Sequence, residues 1–247
     1  MSGHRFFTPF QKTDQKAILE DADEFQHLSK VLRLKKSDEV ELINGQGGLA
    51  RGVIEEIKKA SAVINLREVV FSPSPSKVKV TLACAIPKRA KFETIIEKCT
   101  ELGVDRIVPL ITERTEFILD GKKAVKKTER FGRVAMNAAK QCKRLWFPEI
   151  SAPVLFVEEV KEASSRDAGL LIPWLDGERI PLIKALAAKA GAAELVFFIG
   201  PEGDFTPDEV RTAIEAGAIP VSLGENILKV DTAAMAVVAL LTLMRRI

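Results

Sequence analysis

The sequence predicts an α/β protein with a mostly parallel sheet, preceded by a small β-rich module. Three observations lead there. From Lys77 onward, short apolar runs alternate with stretches of helical periodicity, as in successive strand–helix units. Within residues 195–233, LVFFIGPEGDFTPDEVRTAIEAGAIPVSLGENILKVDTA, an apolar run, a glycine turn and a helix occur twice. Between the two parts, FSPSPSK at 71–77 alternates proline with serine, which neither a strand ladder nor a helix can continue. The boundary falls there, giving domains of residues 1–72 and 73–247.

In the first domain, Asp21 to Leu34 reads as a helix with Asp21 or Asp23 as N-cap. Phe25, Leu28, Val31 and Leu32 share its buried face. Val40 to Asn44 is a strand ending in the turn Gly45-Gln46-Gly47-Gly48. Leu49 to Ile57 returns as its partner, and Ala62 to Phe71 alternates as another strand.

In the second domain, Lys77 to Ala85 is a strand. Lys88 to Leu102 is an amphipathic helix with Phe92, Ile95, Ile96, Cys99 and Leu102 on one face, stopped by Gly103. Arg106 to Ile111 is the next strand, and Asp120 to Arg144 is a long helical segment. A helix near Phe156–Ser165 precedes the strand Leu170 to Trp174, and Glu178 to Ala190 is another helix. Leu195 to Ile199 is a buried strand, stopped by Gly200-Pro201-Glu202-Gly203. Thr206-Pro207-Asp208-Glu209 is a capping box for a helix running to about Ala216, with Gly217 as its stop. Ile219 to Leu223 is a second short strand ended by Gly224. Asp231 or Thr232 caps a final helix from about Ala233. That helix is apolar nearly all round, so most of its faces must be covered.

The chain has 247 residues, 29% charged and 47% hydrophobic, with a formal net charge of +3. These are globular values. The N-terminal MSGHRFFTPF lacks the apolar core of a signal peptide, and Ala233 to Met244 is too short to span a bilayer. Cys84, Cys99 and Cys142 are odd in number and far apart, indicating neither disulfides nor a zinc site. The expectation is a cytoplasmic protein with free thiols, without metal or membrane.

Two glycine turns at the carboxyl ends of strands form the place where open α/β sheets bind ligands, although each alone also reads as an ordinary connection. The first loop is neither a P-loop nor a dinucleotide fingerprint. It carries Glu202 and Asp204 and no lysine, which disfavours a phosphate-binding nucleotide enzyme and suits a ligand that is neutral or cationic nearby.

Charge is concentrated elsewhere. Between Lys122 and Arg144 there are nine Lys or Arg against one acid, Glu129. This is either a solvated helix face or a stripe for a nucleic-acid backbone. Arg5 or Arg33 could pair with phosphate or stack on a base, and Arg33 could equally brace the small module. His27 reads as structural. Both histidines of the chain precede residue 28, so the second domain has no histidine base.

GPEGD at 200–204 with LGENILKVDTA at 223–233 resembles the knotted SPOUT-class methyltransferases. The chain is most similar to the bacterial family that methylates N3 of a uridine in small-subunit (16S) ribosomal RNA. KQCKRLWFP, ITERT at 111–115, and the stretches around Arg5 and His27–Arg33 are similar to further family segments. The resemblance implies a C-terminal trefoil knot, a PUA-like β-barrel for the first domain, a homodimer, and S-adenosyl-L-methionine as cofactor. It puts Gly200, Glu202, Gly203, Leu223, Gly224, Ile227 and Leu228 against the cofactor, with Ile199 and Ala233 beside them and the Leu171–Pro173–Trp174 strand end as a third wall. Arg5, Arg33, Arg114, Gln141 and Arg144 are the expected RNA contacts.

Uracil N3 must lose its proton to become a nucleophile. Asp231 is the expected acceptor or else only a helix cap, and Lys229 and Arg144 would stabilise the anion or orient a phosphate. Four positions depart from the family: Asp204 for glycine, Lys229 for arginine, Asp231 for glutamate, and Lys140 for an acid often found just before Gln141. At 204 the side chain argues against a freely positive φ. A SPOUT enzyme with another RNA target and a non-catalytic RNA-binding or ribosome-assembly protein are the competing readings.

Overall fold

The computed structural model describes residues 4–74, 77–87, 92–115 and 121–244. The predicted helix starts at Lys88 and Asp120, and part of the 71–77 linker, lie outside the described residues. The chain forms two compact units: Met1–Pro75 with Ala139–Phe147, and Ser76–Ala138 with Pro148–Ile247.

The first unit is built on β1 (His4–Phe7), β2 (Lys16–Leu19), β3 (Glu39–Ile43), β4 (Gly48–Ile57) and β5 (Ala62–Phe71). They form one sheet in the order β1-β3-β4-β5-β2. The β1–β3 pair is parallel and the other pairs are antiparallel. Residues i and i+2 of a strand share a face, so Val40 with Leu42, and Ala50 with Ile54, meet Phe6, Leu19, Leu28 and Ile64 in one core.

The helical segment differs from the sequence expectation. An α-helix, α1, spans only Ala22–Gln26 and passes into a π-helical turn at His27–Val31, in which the Leu32 amide donates to the His27 carbonyl. The wider turn breaks the 3.6-residue phase on which the predicted face rests. Leu28 is fully buried, whereas Val31 is 65% exposed. Asp21 is the N-cap, accepting from the amides of Asp23 and Glu24.

The segment 139–147 completes this unit. Gly47 N–H donates to the Leu145 carbonyl, Phe147 N–H to the Gly45 carbonyl, and Trp146 Nε1 to the Pro73 carbonyl at 3.1 Å. The Phe7 and Phe147 rings lie 5.4 Å apart. Glu24, 2% exposed, accepts from the Phe7 amide at 3.0 Å and forms an ion pair with Lys140.

The second unit is an eight-stranded sheet. Its strands are β6 (Lys79–Ala85), β7 (Arg106–Ile111), β8 (Glu149–Ile150), β9 (Val154–Leu155), β10 (Gly169–Pro173), β11 (Ile180–Pro181), β12 (Glu194–Ile199) and β13 (Ile219–Ser222). The order is β11-β13-β10-β12-β6-β7-β8, with β9 also on β7. Every pairing is parallel. Parallel strands are covered on both faces and so read as continuous apolar runs, as LVFFI and LLI do here. Val80, Leu82, Cys84, Phe197 and Ile199 face one core with α2 (Phe92–Leu102), α5 (Leu182–Ala188) and α7 (Val230–Met244), joined by Phe131 and Ala135 of α3 (Gly121–Gln141). Ala83, Val196 and Phe198 face the other, with α4 (Phe156–Ser165) and α6 (Pro207–Glu215).

Two boundaries move. The predicted helix 178–190 contracts to α5, because Ile180 and Pro181 pair with β13. The last helix starts at Val230, so Asp231 and Thr232 lie in its first turn instead of capping it; the Lys229 carbonyl already accepts from the Ala233 amide at 2.8 Å. No helix among the described residues is long and apolar enough to cross a membrane.

The Glu24–Lys140 pair gives a first prediction. Removing one partner of a buried pair strands the other charge, a large penalty. Lys140→Met should cost the first unit about 3 kcal/mol, whereas exposed Lys126→Met should cost less than about 0.5 kcal/mol. Amide exchange of the β1 residues, compared between the two variants, measures this.

Candidate functional site

Strands β10, β12 and β13 end side by side, and the loops that leave them enclose a cavity of about 860 Å³. The first wall is Pro173 to Asp176 with Arg179, the second is Ile199 to Phe205 with Pro207, and the third runs from Val221 to Asp231 and includes Ala233. Pro87, Ile95 and Arg114 complete the lining.

The second wall follows from its sequence. Proline and glycine end β12, and the Asp204 amide turns back to the Pro201 carbonyl at 2.9 Å. The capping box is present as read: Thr206 accepts from the Glu209 amide, and the Glu209 carboxylate accepts from the Thr206 amide. The other oxygen of Glu209 takes the Glu113 amide at 2.9 Å, so the 112–115 turn is tied to the start of α6. Arg114 donates to the Gly203 carbonyl.

Asp204 corrects an expectation. It adopts φ +60°, the region argued against for a non-glycine residue. Aspartate tolerates that region because its short side chain bonds locally. Here Oδ1 accepts from the Phe205 amide at 2.8 Å and Oδ2 from the Leu175 amide at 3.1 Å. In the third wall, Gly224 has φ +129°, open only to glycine. The Ser222 hydroxyl donates to the Gly224 carbonyl at 3.1 Å.

Five acids line the cavity, Asp176, Glu202, Asp204, Glu225 and Asp231, with three basic residues, Arg114, Arg179 and Lys229. Arg114 and Arg179 spend donors on main-chain carbonyls. The balance favours a ligand with positive charge and does not favour a polyphosphate. Beneath the cavity, burial above all, then Cys99 and Glu202, push the Cys84 thiol well up. Burial alone pushes Cys99 up to about 12. Both thiols are protonated at neutral pH and are poor nucleophiles.

The predicted residues sort clearly. Pro173, Trp174, Ile199, Gly200, Glu202, Gly203, Leu223, Gly224, Ile227, Leu228 and Ala233 all line the cavity, as do Lys229 and Asp231. Leu171 does not: it is fully buried in the core, because its strand reaches the cavity only at Pro173. Of the expected RNA contacts, Arg114 lines it. Arg5, Arg33, Gln141 and Arg144 belong to the first unit, and Arg144 is not among the lining residues. Arg5 is held by Glu41 at 2.9 Å. Burial opposes ionisation of Glu41, but Arg5 and Arg51 outweigh it and keep its pKa below the usual value. Arg33 has φ +53°. Within the basic stripe, Arg130 pairs with Glu93 at 2.5 Å and Lys140 with Glu24, so part of the excess is internally compensated. Sequence reasoning missed Asp176 and Arg179, which sit in a DGER stretch with no motif, and the tying role of Glu209. Among the described residues, no cluster suited to a metal ion occurs.

An all-parallel sheet with a carboxyl-end cavity of this charge defines an α/β enzyme-like domain. The model of the RNA methyltransferase domain matches residues 74–242, and that of the RNA methyltransferase PUA domain matches residues 19–66. The chain belongs to this RNA methyltransferase family. It is 36% identical over 211 residues to the ribosomal RNA small subunit methyltransferase E of Synechocystis, covering 85% of this chain and 67% of that one. With the protein of the same name from Mycobacterium bovis, identity is 34% over 222 residues, covering 87% and 81%. The crystal structure of the Neisseria gonorrhoeae protein of that name, bound to S-adenosyl methionine, superposes with a TM-score of 0.86 at 28% identity, covering 98% of each chain. A Legionella pneumophila methyltransferase in complex with the same cofactor gives 0.82 at 29% identity, covering 99% of this chain and 98% of that one.

Proposed function

We propose that this protein uses S-adenosylmethionine to methylate N3 of a uridine in 16S ribosomal RNA. The observation that carries the reading is the acid-lined cavity at the ends of β10, β12 and β13, in a chain whose relatives hold this cofactor. Its volume lies within the usual 300–1,000 Å³ of ligand pockets. Its glycine-edged loops offer main-chain groups, and its acids complement a sulfonium.

When bound, the cofactor supplies an activated methyl group. Gly200, Glu202, Gly203, Leu223, Gly224, Ile227 and Leu228 hold it in this reading, with Trp174 as an aromatic wall. Asp231 accepts the N3 proton of a uracil extruded from its strand, and Lys229 offsets the developing negative charge. Arg114 lies where it contacts both the cofactor loop and an incoming nucleotide. Arg5, Arg33, Gln141 and Arg144, with the exposed lysines of α3, grip the RNA backbone.

Residues 1–72 serve as the RNA-binding domain, a PUA-like barrel, and 73–247 as the catalytic domain. The C-terminal segment forms the trefoil knot of SPOUT methyltransferases; the insertion of β12 between β6 and β10 is consistent with a threaded chain. Leu243 and Met244, 64% and 44% exposed on α7, belong to a homodimer interface. The protein works in the cytoplasm, on RNA or on the small subunit.

Three outcomes are expected. Mass mapping of 16S RNA from a deletion strain should show one uridine lacking a methyl group, restored by the purified protein with the cofactor; an intact modification pattern rules this function out. Asp231→Asn should lower kcat about a hundredfold, with cofactor affinity little changed. A purely helical role predicts a change in stability alone. Light scattering at micromolar concentration should return a dimer, and Leu243→Glu should shift it to monomer.

A further inference from the structure

We infer that Asp204 is a positioning residue for the cofactor, tying two walls of the cavity together. This deepens the methyltransferase reading and rests on it. Asp204 occupies the position where the resemblance expects glycine, and its left-handed φ of +60° is one glycine adopts freely. The backbone alone therefore gives no reason for a carboxylate here.

The side chain does. One oxygen closes the local turn through the Phe205 amide at 2.8 Å. The other reaches 29 residues back in sequence to the Leu175 amide at 3.1 Å. Leu175 follows Trp174 in the first wall, where the Trp174 amide donates to the Val221 carbonyl at 3.3 Å and Arg179 donates to the Trp174 carbonyl at 3.2 Å and to that of Leu175. Trp174 is seated over Gly177, where a Cβ would stand 2.4 Å from the indole Cζ3. The indole orientation thus depends on a small loop whose Leu175 amide is held from the second wall by Asp204. Leu175 is 47% exposed, so apolar burial does little to hold it. A bond from an amide to a carboxylate is stronger than a neutral one. Through it the Trp174 wall keeps its spacing from the Gly200–Gly203 turn, and cofactor enters a site already in shape.

The test compares the wild-type chain with Asp204→Gly and Asp204→Asn, using calorimetry with S-adenosylmethionine, steady-state methylation, and amide exchange at Leu175. Glycine keeps the backbone conformation and loses both bonds; asparagine keeps one acceptor. Asp204→Gly should raise the cofactor Kd about ten- to a hundredfold, with KM for cofactor rising more than kcat falls. Asp204→Asn should lie between it and wild type. Without cofactor, the Leu175 amide should exchange about tenfold faster in Asp204→Gly, at a melting temperature close to wild type. Unchanged exchange overturns the tie. A wild-type Kd in Asp204→Gly, or equal losses in kcat, KM and melting temperature, overturns the positioning role. A wild-type protein that binds no cofactor while the exchange difference persists overturns the functional reading and leaves the tie between the walls standing.

Discussion

The second unit depends on the pairing of β12 with β6 and β10. Six residues of β12, Glu194 to Ile199, are in register with Lys79 to Cys84 of β6, and three are in register with Gly169 to Leu171 of β10 on its other side. A strand paired on both edges and covered on both faces has no polar surface left to expose, hence its composition. It also cannot continue past Ile199 without leaving the sheet. Gly200 and Pro201 make that exit, and the ends of β10 and then β13, which follow one another on one side of it, set the other two walls. The cavity is a geometric result of three parallel strands stopping together.

The loops around it are fixed chiefly by hydrogen bonds between polar side chains and main chain. Glu209 fastens the 112–115 turn, Arg114 the Gly203 carbonyl, Arg179 the 174–175 carbonyls and Asp204 the Leu175 amide. Such bonds are individually modest and costly to leave unmade. They give the walls definite positions. At the opposite, amino-terminal ends of the strands, Arg106 and Arg166 surround Glu159. Burial, the largest influence, raises its pKa despite both arginines. That end of the sheet is a structural ion network.

Much of this was readable from residues. The capping box at Thr206–Glu209, the strands Arg106–Ile111 and Ala62–Phe71 and the helix Phe156–Ser165 follow from local rules, since each depends on neighbours a few positions away. The cavity lining was readable because glycine turns after apolar runs mark strand ends. What escaped depends on partners distant in sequence. The two-residue strands β8, β9 and β11 exist only through their pairing to β7 and β13. The π-helical turn shifts Val31 outward for reasons no periodicity contains. The carboxylate of Asp204 finds its use 29 positions away, and the lysines of α3 gave no sign that Lys140 is engaged by Glu24.

The segment 139–147 has a consequence for the order in which the protein is made. The Gly45–Gly48 turn closes on Leu145 and Phe147, and Glu24 waits for Lys140. A nascent chain that has emerged only as far as the proline–serine linker holds every strand of its first sheet but lacks these closing contacts. Translation delivers residues at roughly 5–20 per second, so the missing piece arrives several seconds later. During that interval the amino-terminal module stands unfinished outside the ribosome, its maturation timed by the synthesis of its neighbour.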